Sequence, residues 1–123
     1  MGKRRRSKEP LPPESFDRAL EEEISISAEF DLPMTLLVVR AEGEFDPETT
    51  RRLLGVLRAA DLVTLPTRSE FAIALPNTDP GGARAVERRV REVLPDAAIG
   101  LAAREPGDEV SCLLERARGA SGA

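Results

Sequence analysis

The chain has 123 residues, with 18 Lys and Arg against 22 Asp and Glu, a formal net charge of −4. Hydrophobic residues make up 41% and charged residues 33%, a balance that fits one globular domain and excludes a collagenous, membrane-spanning or wholly disordered chain. His, Trp and Tyr are absent and Cys112 stands alone, so Ser-His-Asp and Cys-His catalysis, an internal disulfide and a Cys/His zinc cage are excluded as well.

Residues 1–10 hold Lys3, Arg4, Arg5, Arg6 and Lys8 against Glu9 alone, a side-chain sum of +4 that leaves −8 for the remainder. No apolar stretch follows, so this is no secretory signal. Arg6 stands where a myristoylation motif needs Ser or Thr. No run approaches the roughly 18–20 apolar residues of a membrane span. These features predict a soluble, cytoplasmic protein with a disordered basic leader over residues 1–10. Its five cations support only weak, salt-sensitive attraction to nucleic acid, and no aromatic lies among them to stack on a base.

Over residues 14–30 helix formers dominate. Phe16, Leu20, Ile24 and Phe30 form an apolar stripe, and Glu21, Glu22 and Glu23 a solvated face. Ile24-Ser25-Ile26-Ser27 alternates like a strand, which leaves the second half of that helix open. Leu32-Pro33 breaks it. The run Leu36-Leu37-Val38-Val39 then lacks polar alternation and predicts a strand, residues 35–41, buried on both faces. Asp46-Pro47 joins a capping carboxylate to a proline at the first helical position, and Leu53, Val56, Leu57 and Ala60 carry that helix to Asp61.

Residues 62–65 and 70–75 read as a strand hairpin around a turn at Pro66-Thr67-Arg68-Ser69. Asp79-Pro80 repeats the helix start. Ala83, Val86, Val90, Val93 and Leu94 face inward there, and Arg84, Arg88 and Arg91 outward. Arg89 falls at the margin of the apolar stripe, about 90° from its centre at ~3.6 residues per turn. Pro95 stops the helix, residues 97–103 form a fourth strand interrupted by Gly100, and residues 109–118 a last helix. In that helix Cys112 reads as a small buried hydrophobe. Gly81-Gly82 begins a helix but lacks any P-loop pattern. The order predicts an α+β domain over residues 11–118, a ferredoxin-like split βαβ with helices on one face of a sheet, and a disordered tail over 119–123.

Four stretches in this order resemble the GGDEF domain of diguanylate cyclases. Arg58-Ala59-Ala60-Asp61-Leu62-Val63 is similar to its RxxD motif. Glu70-Phe71-Ala72-Ile73-Ala74-Leu75-Pro76-Asn77-Thr78 is similar to the strand of its signature hairpin. Ala98-Ile99-Gly100-Leu101-Ala102 resembles the SIGVA strand, and Leu113-Leu114-Glu115-Arg116-Ala117 the LLxRAD helix. The resemblance runs from about Leu11 to Ala117.

The departures from the family pattern lie at the catalytic positions. The signature pentapeptide is Thr67-Arg68-Ser69-Glu70-Phe71. In the family its two glycines admit the triphosphate of GTP, and its third residue is a metal-binding carboxylate. Thr67 and Arg68 are restricted at positive φ, and Ser69 carries no anion. The family's other metal carboxylate belongs to a DxD pattern ending the first strand, where this chain has Arg40-Ala41-Glu42. Mg²⁺ wants carboxylate oxygen, and a guanidinium in that place opposes a cation by roughly 4 kcal/mol for unit charges at about 4 Å and an effective ε near 20. Residues 44–58 form a shorter segment than the family's, without the Asn and Asp that recognise guanine. The last helix ends before the phosphate-binding lysine, and the hairpin before the SIGVA strand is trimmed. The resemblance therefore implies no cyclase activity, no metal and no cofactor.

One family site is retained. Its inhibitory product site joins an Arg and an Asp three residues apart to a second Arg from the helix after the signature hairpin. Arg58 and Asp61 match the first two, and Arg89, by an ungapped count, the third. Arg presents planar donors to guanine O6 and N7 or to phosphate, and a carboxylate accepts from guanine N1–H and the amino group. The resemblance thus implies a cyclic di-GMP receptor, with Arg58 and Asp61 expected at the surface. A chance RxxD in an Arg- and Asp-rich chain leaves equal room for a ligand-free scaffold, paired with itself or another protein. A nucleic-acid binder ranks third, because the strands offer only Phe71 for stacking.

Overall fold

The two Asp-Pro pairs start helices through local chemistry. Asp46 accepts the Thr49 N–H at 2.7 Å and Asp79 that of Gly82 at 2.8 Å, each ahead of a proline whose φ is already helical. The computed structural model describes residues 9–121, so most of the basic leader lies outside the described residues. Within them the order is α1 (Pro13–Phe30), β1 (Met34–Arg40), α2 (Pro47–Leu54), β2 (Leu62–Thr67), β3 (Glu70–Pro76), α3 (Pro80–Val93), β4 (Ala98–Ala103) and α4 (Val110–Ala120). None of these helices is long and apolar enough to cross a membrane.

The strands lie in the order β2-β3-β1-β4, all antiparallel, as a ferredoxin-like split βαβ requires. Alternate strand residues divide the core. Leu37, Val39, Phe71, Ile73 and Leu75 meet Leu53 of α2 and Val86 and Val90 of α3. Leu36, Val38, Ala72 and Ala74 meet Phe16 and Leu20 of α1 and Leu113 of α4. Helices therefore cover both faces of the sheet, not one. The buried run of β1 demands this, since an apolar residue on each face needs a packing partner on each side. The helices outside the split βαβ, α1 and α4, supply the second layer.

Several boundaries differ from the sequence reading. α1 is helical throughout, and its last inward position belongs to Ser27, not Phe30, which is 62% exposed. Asp31 closes the helix in the left-handed region at φ 54°, while the Ser27 hydroxyl donates to the Leu32 carbonyl and accepts from Arg104 Nε. α2 stops at Leu54, and 3₁₀-type bonds Val56 N–H to Leu53 O and Leu57 N–H to Leu54 O replace its expected last turn. Arg58 and Asp61 accordingly sit in a separate turn and not on a helix. β2 continues to Thr67 through an irregularity that accommodates Pro66 on this edge strand, which leaves Arg68-Ser69 as the hairpin turn.

At the other edge α4 lies directly on the backbone of β4. A Cβ built on Gly100 would stand 2.1 Å from the Ala117 carbonyl oxygen, so only glycine fits. α4 runs to Ala120, which corrects the expected tail at residues 119 and 120, and the Ser121 hydroxyl donates to the Arg118 carbonyl at 2.7 Å. Cys112 is exposed, contrary to expectation, because Leu113 and Ala117 hold the inward stripe and its neighbour is turned away.

Candidate functional site

The RxxD spacing closes a tight turn. The Asp61 N–H donates to the Arg58 carbonyl at 3.1 Å, and Asp61 Oδ2 accepts the Arg58 N–H at 2.7 Å. Asp61 Oδ1 accepts from Arg58 Nη2 at 2.9 Å, so the carboxylate takes up both the backbone and the side chain of the same arginine. Asp61 is 2% exposed, which corrects its expected surface position. A buried carboxylate needs a cation and hydrogen-bond donors, and Arg58 supplies both.

Arg58 reaches further. Its Nη2 donates to Thr78 Oγ1 at 2.7 Å and to the Pro76 carbonyl at 3.3 Å, which ties the entry of β2 to the β3–α3 connection. That connection is held from the sheet, since Thr35 Oγ1 of β1 donates to the Thr78 carbonyl at 2.9 Å. Asn77 turns the chain there in the left-handed region, at φ 51°. The guanidinium of Arg58 is thus oriented by three elements while half of its side chain stays open to solvent.

Its open side forms one wall of a surface cleft of about 350 Å³. Arg89 of α3 forms another, and Asn77, Thr78, Asp79 and Gly82 complete the polar lining at the start of α3. Of the three residues predicted for a site, Arg58 and Arg89 share this cleft, and Asp61 supports Arg58 from behind. In the sequence Asp79 marks only a helix cap. The Asp-Pro signal is local, and nothing in it indicates that the carboxylate also borders a cleft.

No protein-family profile and no curated protein matches the chain in sequence. Solved structures do match it in shape. The GGDEF domain of Pseudomonas aeruginosa YfiN (TpbB) matches over 91% of this chain and 83% of its own, with a TM-score of 0.80 at 20% identity. The GGDEF domain of Caulobacter crescentus DgcB, solved in complex with cyclic di-GMP, matches over 99% of this chain and 89% of its own, with a TM-score of 0.75 at 17% identity. The diguanylate cyclase SiaD of Pseudomonas aeruginosa, in complex with its activator SiaC, matches over 88% of this chain and 52% of SiaD, with a TM-score of 0.78 at 20% identity. The chain has the GGDEF-domain fold.

In this GGDEF-like domain the signature positions gather at the end of the sheet where β1 finishes. Arg40 pairs across the strands with Glu70, and the Ala41 N–H donates to the Ser69 carbonyl at 3.0 Å. The two positions that the resemblance assigns to metal carboxylates are therefore neighbours, and they carry a guanidinium and a hydroxyl. Neither Arg68 nor Ser69 adopts positive φ, so the hairpin turns without a glycine conformation. The carboxylate that does remain, Glu70, is buried and accepts from Arg118 Nε of α4 at 2.7 Å.

Proposed function

We propose that this GGDEF-like domain is a catalytically inactive receptor for cyclic di-GMP, a bacterial signalling module with Arg58 and Arg89 binding the ligand and Asp61 holding Arg58 in place. The observation that carries the reading is the convergence of Arg58 and Arg89 on one cleft, with Arg58 already oriented by Asp61 and Thr78. A donor group fixed before binding loses little conformational freedom on binding, which favours affinity. The DgcB domain, of the same fold, was solved with cyclic di-GMP bound. Inactivity rests on Arg40 and Ser69 at the metal positions and on the engagement of Glu70 by Arg118.

Calorimetry and thermal-shift measurements on the full chain test this. Cyclic di-GMP binds the wild type, and Arg58→Ala or Arg89→Ala weakens it about tenfold or more, the loss of one charge-assisted bond worth roughly 1.5–3 kcal/mol. Arg84→Ala, on the exposed face of α3, leaves the affinity unchanged. A wild type that gives neither heat nor a thermal shift at saturating cyclic di-GMP ends the receptor reading.

The same protein incubated with GTP and Mg²⁺ forms no cyclic di-GMP, and Arg40→Asp with Ser69→Asp does not restore turnover. Product accumulating with the wild type refutes the inactive assignment.

A second reading, a scaffold that docks a protein partner or another copy of itself, is favoured by the exposed apolar residues Ile26, Phe30 and Leu32 at the end of α1. SiaD, of similar fold, was solved with a protein activator.

A further inference from the structure

We infer that this chain associates with itself head to tail, α1 of one copy lying along α3 of the next, with Phe30 seated in a cleft at the end of α3. The inference uses neither cyclic di-GMP nor the cleft beside Arg58. It goes beyond the receptor reading and commits the scaffold reading to one partner, a second copy of this chain.

The sheet divides the helical charges. α1 carries Glu14, Asp17, Glu21, Glu22, Glu23 and Glu29 against Arg18 alone. None of these acids has an ion-pair partner among the described residues. α3 carries an excess of arginine over Glu87 and Glu92. α1 packs on the face of the sheet that holds Leu36 and Val38, and α3 on the opposite face, with Leu37 and Val39. An acidic helix and a basic one therefore lie on opposite sides of the molecule. Each complements the other on a second copy, and such complementarity steers encounter and fixes register.

Charge alone does not hold such a contact, because an exposed ion pair contributes only about 0–1 kcal/mol. Apolar groups supply the rest. The large hydrophobic side chains exposed among the described residues, Ile26, Phe30 and Leu32, all gather at the end of α1. A cleft of about 500 Å³ opens at the end of α3, lined by Ala41, Val93, Leu94, Pro95 and Ala97, with Glu42 and Asp96 as its polar members.

The two surfaces run in the same order, charge first and apolar group after. Glu22 precedes Phe30 by about 12 Å and Arg88 precedes Leu94 by about 9 Å, at ~1.5 Å of helix per residue. Both charged residues are exposed. Arg88 has no ion pair among the described residues, whereas Arg91 is held by Glu87 at 3.2 Å. With the helices parallel, Phe30 in the cleft brings Glu22 within side-chain reach of Arg88. A pair formed this way leaves one surface of each kind open, so assembly continues into a ring or a filament.

Sedimentation velocity on the full chain without ligand, up to about 1 mM protein, tests this. The wild type gains mass with concentration, and about 1 M salt, where the Debye length is roughly 3 Å, weakens the association. Phe30→Ser, Glu22→Arg and Arg88→Glu each weaken it about tenfold or more. All three side chains are exposed, so the melting temperature of the dilute chain stays unchanged. The chain carrying both Glu22→Arg and Arg88→Glu regains association, because the pair re-forms with its signs exchanged. Arg4→Ser with Arg5→Ser and Arg6→Ser leaves association unchanged; its loss there would set the basic leader, and not α3, against α1 and overturn the proposal. A wild type that stays a single chain throughout overturns it, and so does a double variant no better than the two single ones.

Discussion

Replacing Gly100 by alanine lowers the stability of the domain by about 3 kcal/mol, the upper range for overpacking a tight contact. The added methyl carbon would stand 2.1 Å from Ala117 O, 2.5 Å from Ser121 N and 2.8 Å from Ala120 C. All three are backbone atoms of α4 and its cap, and no side-chain rotation relieves them. α4 must withdraw from the sheet, which loosens Leu113 and Ala117 against the face that carries Leu36 and Ala102. Intrinsic preference acts the other way, since glycine inside a strand costs roughly 0.5–1 kcal/mol relative to alanine. The sign of the change therefore reports the contact alone. Thermal unfolding of Gly100→Ala should fall by about 10 °C. A melting temperature within about 2 °C of the wild type refutes the close approach of α4 to β4.

Asp61→Ala has the next largest effect, a loss of about 2–3 kcal/mol in urea denaturation. Its removal leaves the Arg58 backbone N–H without its acceptor, and an unsatisfied buried donor costs about 1–3 kcal/mol. The guanidinium loses its partner too, but half of that side chain is open to water, which replaces part of the lost bond. The backbone group thus dominates the cost. Asp61→Asn keeps an acceptor for the N–H and recovers about half of the loss. On the receptor reading, cyclic di-GMP affinity falls in both variants, because Arg58 is no longer held. A change below about 0.5 kcal/mol in Asp61→Ala would mark a surface residue and refute the buried role.

These two residues show where the sequence is informative and where it is not. Arg58 and Asp61 stand out as a motif in the chain, yet the further partners that orient the Arg58 guanidinium, Pro76 and Thr78, come from the end of β3 and the connection after it. Gly100 reads as an interruption of a strand, while the backbone that requires it belongs to α4.

Local signals were legible throughout. Both Asp-Pro helix starts, the doubly buried β1 and the hairpin follow from neighbouring residues, because a cap, a fixed φ and an apolar run act within a few positions. The ferredoxin-like strand order followed from the succession of those elements. Long-range packing decided the rest. The placing of helices on both faces, Ser27 in the position expected of Phe30, the exposure of Cys112 and the early end of α2 depend on which surfaces meet. The cleft that joins Arg58, Asp79 and Arg89 exists only where the turn before β2 meets α3. A sequence specifies each side chain's chemistry and its local backbone, whereas burial and juxtaposition are properties of pairs of segments and arise only when the chain has folded.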